Sequence, residues 1–478
     1  MTHVATFSAL SMTALLAAAG SAYSQQPPDV VQSDEYANTA MGSGALLNVT
    51  PNSCLYCGIE NTAVGDAALN DDTSGGGNVA MGFLAMQYNI SGHNNTAVGD
   101  SALQGNTTGY YNTAIGSGAL LRSTTAWNNT GVGLDTLIYN TTGGNNTAVG
   151  ANALFSNTTA GGNTATGYNA LYTNTVGYSN TSSGTESLYS NTTGYQNTAT
   201  GFEALYSNTV GDHNTVSGFE ALYSNTNGNS NTADGDFALY SNTTGYHSTA
   251  SGSNALFSNT TGTSNVAVGL EALYSNTSGS SNIAVGTSSG YYLTHGNNNI
   301  DIGNEGAAGD SGAVRIGTAG TQIATYIAGI ESAKVTGSAV YVTAGGQLGV
   351  LASSERYKTA IAPMGAGTEK LQALRPVIFH LKTDPTGTLQ YGLIAEEVAK
   401  VYPELAIRDG SGEIQGVRYD ELAPMLLNEV QKQERINAAQ ADRNKAQADR
   451  IAYLERQLVG IQAVLARLEP KNQMIAQR

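Results

Sequence analysis

The stretch Asn146-Thr-Ala-Val-Gly-Ala-Asn-Ala-Leu-Phe-Ser-Asn-Thr-Thr-Ala-Gly-Gly162, followed at once by Asn163-Thr-Ala-Thr-Gly167, carries the repeat that decides the fold. Its glycine recurs every 17 residues from Gly65 through Gly150 and Gly167 to Gly303, which is (303 − 65)/17 = 14 intervals without a slip. Gly42 stands 23 residues before Gly65, or 17 plus a six-residue insertion that includes both cysteines, Cys54 and Cys57. An insertion of that kind belongs in a loop. Each unit holds two short β-prone runs separated by Gly and Asn turn signals, and one unit alone cannot bury its apolar face. Stacked coils can, because each hydrogen-bonds to its neighbours and sets like side chains in register. The expected fold is mainly β: a parallel β-solenoid, or β-roll, of 17-residue coils. Fifteen coils at the ~4.8 Å strand spacing make a rod of roughly 70 Å.

Individual rows of side chains follow from the period. Four residues after each glycine stands Leu69, Met86, Leu103, Leu120 and onward to Leu273, with Leu in twelve of thirteen coils, and this row is expected in the core. Beside it run Phe155, Tyr172, Tyr189, Tyr206, Tyr223, Tyr240, Phe257 and Tyr274, which strand alternation points away from the core as an exposed or subunit-facing stripe, a sugar-binding platform being the alternative to a purely structural ladder. Stacked aromatics stabilise a ladder without any ligand. The residue before each glycine is apolar towards both ends (Val64, Val98, Ile115, Val149; Val268, Val285). In six central coils it is polar: Thr166, Ser183, Thr200, Ser217, Asp234 and Ser251. A buried row would not tolerate Asp234 unpaired, so this row is expected to face water or a hydrated axis between chains. Asn opens fourteen of the fifteen units, with Ser248 the exception, as a side-chain amide ladder would require. The coils are similar to the head domains of trimeric autotransporter adhesins, whose repeats carry a related Ser-Val-Ala-Ile-Gly element. That resemblance implies a left-handed parallel β-roll in which three chains pack together.

Composition divides the chain in two. Charged residues make up 12% of the 478, about half the share of an ordinary globular protein. Before residue 315 the only basic side chain is Arg122, against 19 acids, a net of −18; the remainder carries 19 bases against 17 acids, a net of +2. The acidic balance argues against nucleic acid or an anionic membrane as partner. Residues 1–24 hold a small and apolar run ending in Ala22-Tyr-Ser24, the form of a signal-peptidase site, so the chain is expected to be secreted or at a cell surface. No other stretch is apolar enough to span a bilayer. The Cys54-Leu-Tyr-Cys57 loop points to a local disulfide in an oxidising compartment. No metal site or cofactor is expected: the six histidines are scattered, and neither a phosphate loop nor a metal motif is present.

Past Gly303 the period breaks, with β-prone pieces at Ala313–Gly317, Thr325–Ala328 and Ala339–Thr343, and then charge density jumps at Ser353-Ser-Glu-Arg-Tyr-Lys358. That hexapeptide is followed by Leu374-Arg-Pro376, Tyr391-Gly-Leu-Ile-Ala-Glu-Glu-Val398 and Tyr419-Asp-Glu-Leu-Ala-Pro-Met-Leu-Leu427. Together these segments, over about residues 353–435, resemble the intramolecular chaperones of peptidase family S74, found at the C-termini of phage tail spikes and fibres. The resemblance implies a domain that holds three chains together while a β-stem folds and then releases itself by cleavage between Ala352 and Ser353. It implies a catalytic dyad of Ser353 and Lys358 with Arg356 in support; Ser354 stands where many members have Asp. The chemistry needs those types, since a serine hydroxyl requires a base and a lysine serves only when neutral. Five residues along a strand would leave the two roughly 16 Å apart, so a turn or a second chain must bring them together.

Ile451, Leu454, Leu458, Ile461, Leu465 and Leu468 alternate by three and four, the seam of a coiled coil. Upstream, Gln433, Asn437, Gln440, Asn444 and Gln447 continue it with polar residues that fix register. The expected order is signal peptide 1–24, cap with the cysteine insertion 25–60, solenoid 61–303, β collar 304–352, α+β chaperone domain 353–435 and trimeric coiled coil 436–478. The partner is the chain itself as a homotrimer, with a surface glycan or receptor as external candidate, on a cell surface or a phage-like particle. Two rival readings are a fibre that never cuts itself, with a permanent stalk, and an ice-binding solenoid using its regular Thr rows.

Overall fold

A computed structural model describes residues 32–50, 57–327, 339–343, 346–382, 384–409 and 411–475. The signal-peptide expectation, Cys54 and Ala328 lie outside the described residues. The chain divides into two compact units, one ending at Ala324 and the other beginning at Thr325.

In the first unit every coil contributes one three-residue strand, from Thr39–Met41 and Thr62–Val64 to Ile300–Ile302 and Val314–Ile316. Successive strands pair parallel and in register, Thr62 with Val79, Thr181 with Thr198, Val266 with Ile283. The register absorbs a 23-residue step between Thr39 and Thr62 and a 14-residue step between Ile300 and Val314, so the ladder runs one rung past Gly303. A short strand, Gln32–Ser33, closes its first edge antiparallel. The solenoid expected from the 17-residue period is thus present as an 18-stranded sheet.

Why the glycine never slips is steric. Gly201 has φ +134, and a β-carbon there would stand 2.1 Å from the carbonyl oxygen of Gly218 in the next coil; Gly65 meets Gly82 in the same way at 2.3 Å. The second β-prone run departs from expectation. The residues around Leu69 form turns rather than a strand, and Leu69, Leu103, Leu205 and their counterparts sit at φ near +53 to +57. A left-handed Leu costs roughly 1–2 kcal/mol. Burial offsets it, since every Leu in this row is fully buried and such burial contributes about 2–3 kcal/mol. The core is narrow: Ala63, Ala68 and Leu69 and their counterparts repeat along it.

Two amide ladders line this core. In the first, the Asn78 backbone N–H donates to Asn61 Oδ1 and Asn78 Nδ2 donates to the Gly92 carbonyl, and the pattern repeats along the rod. Asp34 accepts from Asn38 at one end, and Asn299 Oδ1 accepts the Ala313 N–H at the other. The second ladder was not read from the sequence; there Asn89 Nδ2 donates to Asp72 and Asn106 Nδ2 to Asn89 Oδ1, all buried. Its signal was a polar residue eleven positions after each opening Asn. Outside, nine rings from Phe155 to Tyr291 stack at 4.8–5.3 Å, nearly parallel and half-buried. The row before the glycines faces outward in every coil, apolar and polar members alike. Cys57 is disulfide-bonded.

The second unit contains a hairpin of Tyr341–Val342 with Leu348–Gly349, a second of Val377–Phe379 with Gln390–Gly392, and a third of Ala406–Arg408 with Ile414–Val417. Two α-helices follow the second and third hairpins: α1 (Ala395–Val401) and α2 (Tyr419–Ile475). A small core of Val398, Tyr402, Leu405 and Val417 packs against Leu371, Leu374, Leu393, Leu422 and Met425. At 57 residues α2 is about 85 Å long, and only its first turns reach that core. Beyond them, Ile451, Leu454, Leu458, Ile461, Leu465 and Leu468 are all exposed, at 49–57%.

Candidate functional site

The Ser353–Lys358 segment is built around a single 3-10 turn, Glu355–Tyr357. The Tyr357 N–H donates to the Ser354 carbonyl and the Lys358 N–H to that of Glu355, both at 3.0 Å, so a turn does separate Ser353 from Lys358. Arg356 lays its guanidinium over the Tyr357 ring, 4.7 Å from the centroid. Among the described residues, neither the Ser353 hydroxyl nor the Lys358 amine has a hydrogen-bond partner, and every residue of 346–367 is exposed. The single chain therefore supplies none of the burial that would neutralise a lysine. Around the segment Leu348, Val350, Leu351, Tyr357, Ile361 and Met364 are also open to solvent.

The three downstream motifs, by contrast, are brought together. Arg375 of the first donates to both carboxylate oxygens of Glu397 in the second, at 2.6 and 3.1 Å, which holds that carboxyl below its ordinary range. The Tyr419 hydroxyl of the third accepts the Leu393 N–H at 2.8 Å. Sequence reasoning missed the contact that ties the site's sequel to α2. Thr368, fully buried, donates to Glu429 and accepts from Asn428 Nδ2, while Asn428 also reaches the Gly365 carbonyl at 3.0 Å. Lys432 adds an ion pair to Glu369 at 3.2 Å. The 3-10 helix Gly365–Ala373, seven residues after Lys358, is thereby clasped to the start of α2.

Residues 353–407 match the family model of Peptidase_S74, the chaperone of endosialidase. The matched stretch opens at Ser353 and includes Arg356, Lys358, Arg375 and Glu397; the Tyr419–Leu427 segment that packs on it lies beyond. No curated protein and no solved structure matches the chain. The family accounts for a chaperone domain in the second unit, and the solenoid before it fits a fibre-like protein. Among the described residues no cluster of His, Cys, Asp or Glu could hold a metal ion, and no helix is long and apolar enough to cross a membrane.

Proposed function

We propose that the chain is an exported trimeric fibre whose C-terminal unit registers three solenoids and then frees them by cutting between Ala352 and Ser353. The observation that carries this reading is the Peptidase_S74 match opening at Ser353, directly after a long in-register solenoid. Parallel ladders depend on non-local contacts and form slowly, so clamping three chain ends raises their effective concentration and suppresses misassembly. The uncovered seam of α2 supports a three-stranded coil as the clamp, since six apolar residues at alternating spacings of three and four stay exposed among the described residues.

Trimer closure buries the Lys358 amine and makes it a base. It takes the proton from Ser353 Oγ, which attacks the Ala352 carbonyl carbon; the C–N bond breaks and the proton passes to the Ser353 amine. Water hydrolyses the resulting ester, leaving an Ala352 carboxylate and a free Ser353 hydroxyl. The exposed apolar side chains from Leu348 to Met364 support this dependence on assembly, because association would cover them together with the dyad. Denaturing electrophoresis tests the reading: cleavage yields pieces of 352 and 478 − 352 = 126 residues before any other processing, and Ser353→Ala yields a single full-length band.

A further inference from the structure

The solenoid carries a second, shorter aromatic row, eleven positions after six of the repeat glycines, and it is built differently from the nine-ring stack. His93, Tyr110 and Trp127 stack at 5.1 and 6.3 Å, and Tyr178 and Tyr195 stack at 5.0 Å. Between them the row reads Gly144 and Gly161. The ladder itself does not stop there. The Asn145 N–H donates to the Trp127 carbonyl, Gly162 to Gly144 and Ser179 to Gly161, so the coils stay in register while two rungs lack a ring.

The interruption leaves the Tyr178 face on the Gly161 side without a ring over it. In the long stack each interior ring is covered on both faces by its neighbours, and only edges reach solvent. Trp127 and Tyr178 instead stand on rungs three coil spacings, about 14 Å, apart; the two rungs between carry glycine, and the indole itself leans over the first of them. The indole lies flat over Gly144, its Cε2 2.8 Å from where a β-carbon would stand, so any side chain at 144 would displace it. Trp127 is 37% exposed and Tyr178 49%. The rims are uncharged: Thr125, Thr142 and Thr159 on one side, Asn128 and Asn145 on the other, all exposed.

We propose that the gap between Trp127 and Tyr178 is a binding subsite for a pyranose of a neutral glycan. A pyranose has an apolar C–H face that stacks on an aromatic face and a hydroxyl rim that suits Thr hydroxyls and Asn amides. A peptide strand finds no edge here, because the backbone groups cited above already pair from coil to coil. An anionic ligand meets the net −18 of the first 314 residues. The inference is independent of cleavage.

The test uses an accident of composition: Trp127 is the only tryptophan in the chain, so its fluorescence reports on the subsite alone. The full chain is titrated with neutral hexasaccharides of α-1,4-glucose, β-1,4-glucose, N-acetylglucosamine and mannose. At least one is expected to change the emission saturably. Tyr178→Ala, which leaves the indole in place, weakens that response about tenfold, whereas Tyr206→Ala in the continuous stack leaves it unchanged. The proposal is overturned if no sugar alters the emission up to about 10 mM, or if Tyr178→Ala binds like the parent chain. Equal loss in the Tyr206→Ala chain overturns it as well. Circular dichroism of both variants separates loss of the subsite from loss of the fold.

Discussion

The two units solve the same problem in opposite ways. In the solenoid each coil passes its unpaired backbone groups, amides and apolar faces to the coil above, so one chain satisfies itself along its length. The C-terminal unit satisfies only a small centre around Val398 and leaves the Ser353–Lys358 segment and the apolar row of α2 bare. A self-completing rod needs no partner to pair its strands. An incomplete unit would be completed by association, and under the proposed function it would sense whether partner chains have arrived.

The largest expected effect breaks the solenoid's side of this contrast. Gly201→Val places a branched side chain at φ +134 against the Gly218 carbonyl. Clash and backbone strain together should cost at least about 3 kcal/mol, read as loss of the cooperative thermal transition by circular dichroism. Leu205→Ala, fully buried, should cost about 2–5 kcal/mol in the same measurement.

Leu458→Asp sharpens the other side. Leu458 is exposed in the single chain, so the secondary structure of one chain should be kept to within about 0.5 kcal/mol while association is lost. Sedimentation shows the difference, and a variant that still forms the parent oligomer would deny α2 its role as clamp.

A smaller effect lies at the solenoid's first rungs. Asp72 opens the second amide ladder from a buried position, and Oδ2 has no donor among the described residues. Burial pushes its carboxyl up to about 7, outweighing hydrogen bonds from Gly75 and Asn89. The folded value lies above the unfolded one, about 3.9, so the folded chain holds the proton more tightly. The stability this contributes is present at low pH and is lost as pH rises towards 7. Asp72→Asn completes the ladder with the residue used in most other coils. It should stabilise the rod by about 2 kcal/mol at pH 8 and by little at pH 4, visible as a melting difference that grows with pH. The smallest change, Tyr206→Ala, removes one ring from the nine-ring stack and should cost about 1 kcal/mol.

What was legible in the sequence follows the same division. The 17-residue glycine series, the Leu row and the opening Asn row are set by contacts between identical positions, and a period displays such contacts directly. Two features were harder to see. Leu at positive φ contradicts local propensity and is tolerated only because burial outweighs it. The second Asn ladder was obscured by Asp72 and Ser123, which interrupt the pattern. In the C-terminal unit, the motifs holding Arg375, Glu397 and Tyr419 could be recognised, but the exposure of Lys358 in the single chain could not.

The most direct test of the account is intact-mass analysis of purified protein beside its Ser353→Ala variant, with sedimentation of both. The account predicts an oligomeric parent whose C-terminal fragment begins at Ser353 and an equally oligomeric, uncut variant. A parent that remains full-length while fully assembled, or one that cuts itself as a lone chain, would contradict it.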